Sequence, residues 1–215
     1  MTNNRALAIR ALTAILMTCA AASCSRAAPS DPPRDKGGQR AEAVFAGGCF
    51  WCIESDFDKV PGVISTVSGY TGGTVLNPTY KQVSGGKTGH IESLRIVYDP
   101  ARVSYAALVE RLYRTIDPVD SGGQFCDRGY QYRSAIFVAN AQERRVAETL
   151  KAKLEKVKKA PGKIATLILP RSTFYPAEDY HQDYYKKNPV KYRFYRARCG
   201  RDARIKEAWG SSGEH

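Results

Sequence analysis

Apolar residues recur with strand and helix periods along this chain from residue 41 onwards. Residues 41–46 form a short apolar run that ends in Gly47-Gly48, and apolar side chains then recur at helical spacing until Pro61-Gly62. This pattern predicts a strand, a tight glycine turn and a helix. The same periods predict further strands at 63–68, 94–98, 133–139 and 164–169, and helices at 105–116, 146–157 and 177–187. Interleaved strands and helices, with several strands joined by loops, predict an α+β two-layer sheet with helices on one face.

Capping signals and long loops refine this prediction. Ser104 is a candidate N-cap, and Asn140 with Glu143 resembles a capping box. Residues 69–89 and 117–132 lack an apolar period and are predicted to be loops. Loops of such length in a compact domain usually carry function.

The N-terminal residues are predicted to be a secretory signal. Arg5 and Arg10 precede the apolar run 11–22, which is shorter than the roughly 20 residues that a membrane span needs. We therefore predict a signal peptide at 1–23 and an exported protein of the periplasm or cell envelope. Two alternatives stay open for Cys24, which follows a lipobox-like segment with Ala where Leu is usual: lipidation, which would anchor the chain to a membrane, or plain cleavage nearby.

Two further segments are set apart by their composition. Residues 24–40 collect Pro, Gly and mixed charges without an apolar period and are predicted to be a disordered tether. Residues 191–215 are predicted to be a basic C-terminal tail, which leaves 41–190 as the folded domain.

Composition indicates an ordinary globular chain. Of its 215 residues 43% are hydrophobic and 25% charged, which excludes disorder over most of the length and fits one domain better than two. The 33 Lys+Arg against 21 Asp+Glu give a net charge of +12. A basic total describes solubility and non-specific binding, and export argues against DNA or RNA, so we expect no nucleic-acid partner. We also expect a monomer.

Four of the 6 Cys lie in the predicted folded part and its tail: Cys49, Cys52, Cys126 and Cys199. In an oxidising compartment they could form two structural disulfides. The alternative is redox chemistry, because a cysteine in the first turn of a helix lies at the positive end of the helix dipole, which favours the thiolate. No second C-x-x-C or His pair has zinc spacing, so we predict no metal and no cofactor.

Motifs in a fixed order extend over most of the folded part. They are Gly48-Cys49-Phe50-Trp51, Pro61-Gly62-Val63, Gly69-Tyr70-Thr71-Gly72-Gly73, Asn77-Pro78-Thr79-Tyr80, Thr88-Gly89-His90-Ile91-Glu92, Val97-Tyr98-Asp99-Pro100, Gln131-Tyr132-Arg133-Ser134 and the segment 174–189. In these motifs the chain resembles the A class of peptide methionine sulfoxide reductases. The resemblance implies a ferredoxin-like two-layer sandwich with a mixed sheet and long functional loops.

The resemblance also implies a reaction, the thiol-dependent reduction of methionine S-sulfoxide, protein-bound and free, to methionine. Cys49 would attack the sulfoxide sulfur and become a sulfenic acid. Glu92 would be the acid, with a pKa raised by an apolar site. The family's substrate-binding residues correspond here to Phe50 and Trp51, the apolar wall for the methyl group, and to Tyr80, Asp127 and Tyr132, which position the oxygen.

A second thiol must then react with the sulfenic acid, and here the chain departs from the commonest pattern of the family. Cys52 replaces a glycine, and the glycine-rich tail of many relatives is replaced by a basic stretch that contains Cys199. We predict Cys199, among arginines that lower its pKa, as the main resolving cysteine, with Cys52 as its rival and Cys126 as a passive pocket thiol. A thioredoxin-like reductant is the expected partner. The alternative function is that of a thioredoxin-like thiol-disulfide oxidoreductase.

Overall fold

A computed structural model describes residues 39–210 of the chain. The predicted signal 1–23, nearly all of the tether 24–40, Cys24 and residues 211–215 lie outside the described residues. The strands are β1 Ala41–Gly47, β2 Val63–Thr71, β3 Ile91–Tyr98, β4 Gly123–Gln124, β5 Asp127–Arg128, β6 Ser134–Val138, β7 Leu167–Pro170 and β8 Tyr175–Pro176. The helices are α1 Phe50–Phe57, α2 Tyr80–Ser84, α3 Tyr105–Arg114, α4 Ala141–Val157, α5 Tyr184–Lys187, α6 Pro189–Arg198 and α7 Arg201–Trp209, with a short 3-10 helix at Tyr130–Tyr132.

A 6-stranded sheet with the order β7-β6-β1-β3-β2-β8 forms the centre of the fold, and β4 and β5 form a separate hairpin. Strand β1 lies antiparallel to both β3 and β6, β2 is antiparallel to β3, and β7 is parallel to β6. The prediction of an α+β fold with a mixed sheet is confirmed.

The main core lies between one face of this sheet and the helices. Phe45 and Leu94 from the sheet pack in one cluster with Ile53 of α1, Leu112 of α3 and Leu154 of α4, all of them buried. Burial of each such side chain contributes about 1.5–3 kcal/mol relative to exposure. The predicted caps are present, since Ser104 accepts a hydrogen bond from the Ala107 N–H at 3.1 Å and Asn140 accepts one from the Glu143 N–H at 2.9 Å.

Several predicted boundaries differ from the structure. Strand β2 continues to Thr71, α2 forms inside the predicted loop 69–89, and β7 starts at Leu167 rather than at residue 164. Only Tyr184–Lys187 of the predicted helix 177–187 is helical. The reason is a tertiary contact: the Gln182 side chain hydrogen-bonds both the N–H and the C=O of Ser68, each at 2.9 Å, and so ties this segment to β2.

The basic segment after residue 190 is not a tail, so the boundary that we predicted there is wrong. Helices α6 and α7 occupy it, and Ile205 and Trp209 of α7 are buried in the main core. Cys199 therefore lies between two helices rather than beyond the last one. Sequence reasoning missed these helices because Lys and Arg residues separate their few apolar positions. No helix among residues 39–210 is long and apolar enough to cross a membrane.

Candidate active site

Cys49 lies where β1 passes into α1, at the N-cap of the helix. Gly48 has a φ of +83°, which favours glycine, and a Cβ on Gly47 would lie only 2.4 Å from the Ile53 side chain. Two glycines are therefore required for the chain to turn sharply from the central strand into the helix. The turn places the sulfur of Cys49 against the end of the sheet, with 6% of the residue exposed.

Cys49 and Cys52 are the free cysteines of the described part of the chain, and both are buried. The two thiol groups are close enough to influence each other's pKa. Burial, followed by the influence of Cys52, raises the pKa of Cys49 well above its ordinary value, with Glu92 and Asp127 acting in the same direction. The neighbouring Cys49 lowers the pKa of Cys52 against the opposing effect of burial, and Arg201 and Arg196 contribute in the lowering direction.

The start of the helix therefore does not act alone on Cys49, as our prediction of a thiolate there assumed. The positive end of the helix dipole favours the thiolate, whereas burial of the residue opposes it.

Glu92 lies beside Cys49. It is on β3, is 2% exposed, and one of its carboxyl oxygens accepts a hydrogen bond from the Phe50 N–H at 3.1 Å. Burial raises the pKa of Glu92 to about 8, against the opposing effect of that hydrogen bond. At pH 7 the carboxyl group is therefore mostly protonated and can donate a proton.

The polar side of the site is formed by Asp127, Tyr80 and Tyr132. Burial raises the pKa of Asp127. Burial also raises the pKa of Tyr80 to about 12 and raises that of Tyr132, so both tyrosine hydroxyls stay protonated. Glu92 and Cys49 act on the pKa of both Tyr80 and Tyr132, in the same direction as burial. The structure thus brings these predicted residues together around Cys49.

Tyr195 of α6 is a site residue that sequence reasoning missed. Its hydroxyl donates a short hydrogen bond to the Asp127 carboxylate, and its pKa is raised by burial and then by the nearby Cys49. Its ring meets that of Trp51 edge-on at 5.8 Å. No local signal could have identified it, because Tyr195 lies in a segment that was interpreted as a solvated tail.

The apolar side of the site is a group of aromatic rings around His181. Phe50 and Trp51, as predicted, lie next to each other there, and Trp51 stacks on Tyr184 at 3.7 Å. The Trp51 indole N–H donates to His181 Nδ1 at 3.0 Å, so the imidazole carries its proton on Nε2. His181 is 2% exposed, and burial lowers its pKa, which keeps the ring neutral. The only signal in the sequence that indicates His181 is its place in the motif segment 174–189.

Glu178 connects the apolar side of the site to its polar side through hydrogen bonds. It accepts hydrogen bonds from the Tyr70 hydroxyl and from the Tyr80 N–H, each at 2.9 Å. It thereby fixes the start of α2 and with it the Tyr80 side chain. Its place in the motif 174–189 is the only signal in the sequence that could have indicated it.

Cys126 and Cys199 form a disulfide, with their Cα atoms 5.0 Å apart. The prediction of Cys126 as a passive free thiol is wrong, and Cys199 is bonded to Cys126 rather than to Cys49. The bond joins the β4–β5 hairpin, which carries Asp127, to the end of α6, which carries Tyr195. Within residues 39–210 no group of three or more His, Cys, Asp or Glu side chains could hold a metal ion.

A buried thiol pair with a protonated carboxyl group and hydroxyl donors beside it defines a thiol-dependent redox enzyme. The family model of peptide methionine sulfoxide reductase matches residues 41–213. The chain is 54% identical to peptide methionine sulfoxide reductase MsrA 2 of Caulobacter vibrioides over 168 residues, which cover 78% of this chain and 85% of the relative. It is 46% identical to MsrA 2 of Rhizobium meliloti over 202 residues, 94% of this chain and 95% of the relative.

Solved structures agree with these relatives. Methionine sulfoxide reductase A of Corynebacterium diphtheriae superposes with a TM-score of 0.64 at 36% identity, covering 73% of this chain and 78% of the other. Reduced Mxr1 of Saccharomyces cerevisiae gives a TM-score of 0.63 at 32% identity, with 71% and 87% covered. The chain belongs to the peptide methionine sulfoxide reductase family, in its A class.

Proposed function

We propose that the protein reduces methionine S-sulfoxide in exported proteins and as the free amino acid, with Cys49 as nucleophile, Glu92 as acid and Cys52 as resolving thiol. As a family member the protein is a peptide-methionine (S)-S-oxide reductase. The observation that carries the assignment of roles is the hydrogen bond between the Phe50 N–H and Glu92, which holds a protonated carboxyl group next to the nucleophile.

The chemistry balances with these groups. Cys49 forms a bond to the sulfoxide sulfur while Glu92 donates a proton to the oxygen, which needs one because oxide is a poor leaving group. The bond between the two sulfurs and the S–O bond of the sulfoxide then break as the oxygen passes to Cys49, which becomes a sulfenic acid while methionine leaves. The proton given up by the Cys49 thiol replaces the one that Glu92 donated. Cys52 then displaces the hydroxyl group as water and forms a disulfide.

The two sides of the site fit the two ends of the sulfoxide group. Phe50 and Trp51 offer apolar rings for the methyl group, and the indole is held in place by His181 and Tyr184. Tyr80 and Tyr132 offer hydroxyl donors to the oxygen, and Asp127, held by Tyr195, lies beside them. A simple thioredoxin-like exchanger would not need this acid or these donors.

Two observations support Cys52 rather than Cys199 as the resolving thiol. Cys199 is bonded to Cys126. Cys49 precedes the helix as its N-cap, with φ −53° and ψ 119°, and Cys52 lies in the first turn that follows.

One experiment tests the reaction and the resolving thiol together. The two resolved epimers of a methionine sulfoxide peptide are each given to the reduced protein, one equivalent at a time, and the disulfides are then mapped by peptide mass. We expect one methionine per protein from the S epimer, none from the R epimer, and a new Cys49–Cys52 disulfide. A Cys49–Cys199 peptide would return the resolving role to Cys199, and insulin disulfide reduction without sulfoxide reduction would favour the thioredoxin-like alternative.

The place of action and the donor are part of the same proposal. The predicted signal at 1–23 supports an exported enzyme, with or without a lipid on Cys24, and we propose that it acts as a monomer. A dithiol protein of the thioredoxin type would supply the two electrons that each turnover consumes. We also propose the ferredoxin-like description of the fold, which the antiparallel order β6-β1-β3-β2 supports.

Cell fractionation tests the export proposal. We expect processed protein in the periplasm or membrane fraction, because the apolar run 11–22 behind two arginines has the features of a secretory signal. The enzyme without residues 1–23 should stay in the cytosol and serves as the control. Full-length protein recovered from the cytosol of cells with an active secretion pathway contradicts export and leaves the reductase activity unaffected.

A further inference from the structure

The Cys126–Cys199 disulfide joins two segments that both contribute to the polar side of the site. Cys126 lies in the turn of the β4–β5 hairpin and is followed by Asp127, the first residue of β5. Cys199 is the C-cap of α6, and its N–H donates to the carbonyl oxygen of Tyr195 at 3.0 Å. The Tyr195 hydroxyl donates to the Asp127 carboxylate. The disulfide and this hydrogen bond therefore connect the same two segments.

The turn of this hairpin has an unfavourable backbone conformation. Gln124 pairs with Asp127, which leaves only Phe125 and Cys126 to make the turn. Phe125 has a φ of +55°, in the left-handed region that a residue with a bulky side chain rarely adopts. Such a conformation persists only where the surrounding structure imposes it. The disulfide is a covalent constraint at the next residue, so we expect the turn to relax when the disulfide opens.

Other contacts hold the first strand of the hairpin better than the second. The buried Gln124 side chain makes two hydrogen bonds with the backbone of Asp117, each at 2.9 Å, and so fixes β4. Strand β5 has an ion pair at the surface, between Arg128 and Asp120, and such pairs contribute little in water. The disulfide is thus the covalent connection that keeps Asp127 against α6.

The Cys126–Cys199 disulfide is also more accessible than the thiol pair of the site. Cys126 is exposed and Cys199 is half-buried, whereas both thiols of the pair are buried. A donor thiolate can therefore attack Cys126, form a mixed disulfide with it and release Cys199 as a thiolate, which takes up a proton. The second donor thiol breaks the mixed disulfide, so that the donor loses two electrons and both cysteines become thiols. A disulfide-bearing oxidant reverses this exchange.

We propose that the Cys126–Cys199 disulfide is a redox-sensitive positioning element of the active site. While it is intact, it holds Asp127 and Tyr195 together in the site; once a dithiol has reduced it, Asp127 moves out of place and sulfenic acid formation slows. This inference rests on the proposed place of Asp127 beside the sulfoxide oxygen. It does not depend on which cysteine is the resolving thiol, because methionine leaves before that step. The enzyme is therefore fastest under the oxidising conditions that produce methionine sulfoxide.

A redox series on the full chain with Cys52→Ser tests this inference, since Cys49 then has no neighbouring thiol to bond with. Samples are equilibrated with mixtures of oxidised and reduced dithiothreitol, separated from it, and given one equivalent of the S epimer. Alkylation and peptide mass report the state of Cys126 and Cys199. We expect the rate of methionine release to follow the fraction of intact disulfide and to be about tenfold lower after full reduction, because a misplacement of about 1 Å can cost up to about 10²-fold. With Cys126→Ser and Cys199→Ser added, the rate should be low at every mixture.

A double-substitution cycle separates positioning from a general loss of packing. Asp127→Asn retains an oxygen that can accept the Tyr195 hydroxyl but removes the carboxylate, and it should slow methionine release by itself. Reduction of the disulfide should then lower the rate by less than about twofold more, because its effect passes through Asp127. Circular dichroism checks the fold of each variant.

Equal losses with and without Asp127→Asn would assign the disulfide a packing role and overturn the inference. A rate that does not depend on the state of the disulfide would overturn it too. If the protein with Cys126→Ser and Cys199→Ser does not fold, the redox series on Cys52→Ser decides. Asp127→Asn that is as fast as its parent refutes the proposed role of Asp127, whereas a slow Asp127→Asn without any effect of the disulfide refutes the inference alone.

Discussion

Cys49→Ser should abolish the reduction of methionine sulfoxide, because a serine hydroxyl is too weakly nucleophilic to attack the sulfoxide sulfur at neutral pH. The substitution exchanges one atom at a residue that is 6% exposed, so the fold should be retained. The measurement is methionine released per protein from the S epimer of a sulfoxide peptide, with circular dichroism as the check on folding.

Cys52→Ser is the matched control for this prediction. It removes the neighbouring thiol of the same buried pair. We expect it to release one methionine per protein and then to stop with a thioredoxin-like donor, because a sulfenic acid on Cys49 has lost its partner. Dithiothreitol, which reduces a sulfenic acid directly, should restore turnover. Methionine release by Cys49→Ser at a comparable level would refute the nucleophile.

Glu92→Gln should slow sulfenic acid formation by roughly 10²- to 10⁴-fold, the range over which general acid catalysis usually contributes. Glutamine retains a carbonyl oxygen that can accept the Phe50 N–H, but it has no proton to give to the sulfoxide oxygen. Glu92→Asp should be intermediate, because the acid remains while its reach shortens. Single-turnover measurements of methionine release test both variants.

The role of Glu92 as the acid also predicts how the rate of sulfenic acid formation depends on pH. Because the pKa of Glu92 is raised to about 8, its acid form dominates below that pH and is lost above it. Sulfenic acid formation should therefore fall as the pH rises through about 8, and this decline should be absent from the residual activity of Glu92→Gln.

Glu54→Gln offers a matched control for the acid. Glu54 is also a buried carboxyl group, 1% exposed, whose pKa is raised to about 7 by burial and by Asp58 and Asp183. None of the groups that set its pKa belongs to the site. We expect the decline near pH 8 to persist in this variant. If Glu54→Gln removed that decline and Glu92→Gln did not, the assignment of the acid would be wrong.

The sequence by itself determined the elements and residues whose signals are local. The run 41–46 before Gly47-Gly48 and the helical spacing after it gave β1, the turn and the start of α1, because an apolar period and a glycine requirement depend on neighbouring residues. The caps at Ser104 and Asn140 are local in the same sense. The motif order identified Cys49 and Glu92 through the family resemblance.

Only the tertiary structure decided what depends on contacts between distant segments. Residues 191–209 contribute Tyr195, Arg201 and Trp209 to the site and the core, although their basic composition is that of a solvated surface. The Cys126–Cys199 bond joins residues with a sequence separation of 73, a pairing that spacing does not encode. The acidity of Cys49 also depends on packing, because burial of the residue opposes the effect of the helix start, which is the part that the sequence alone shows.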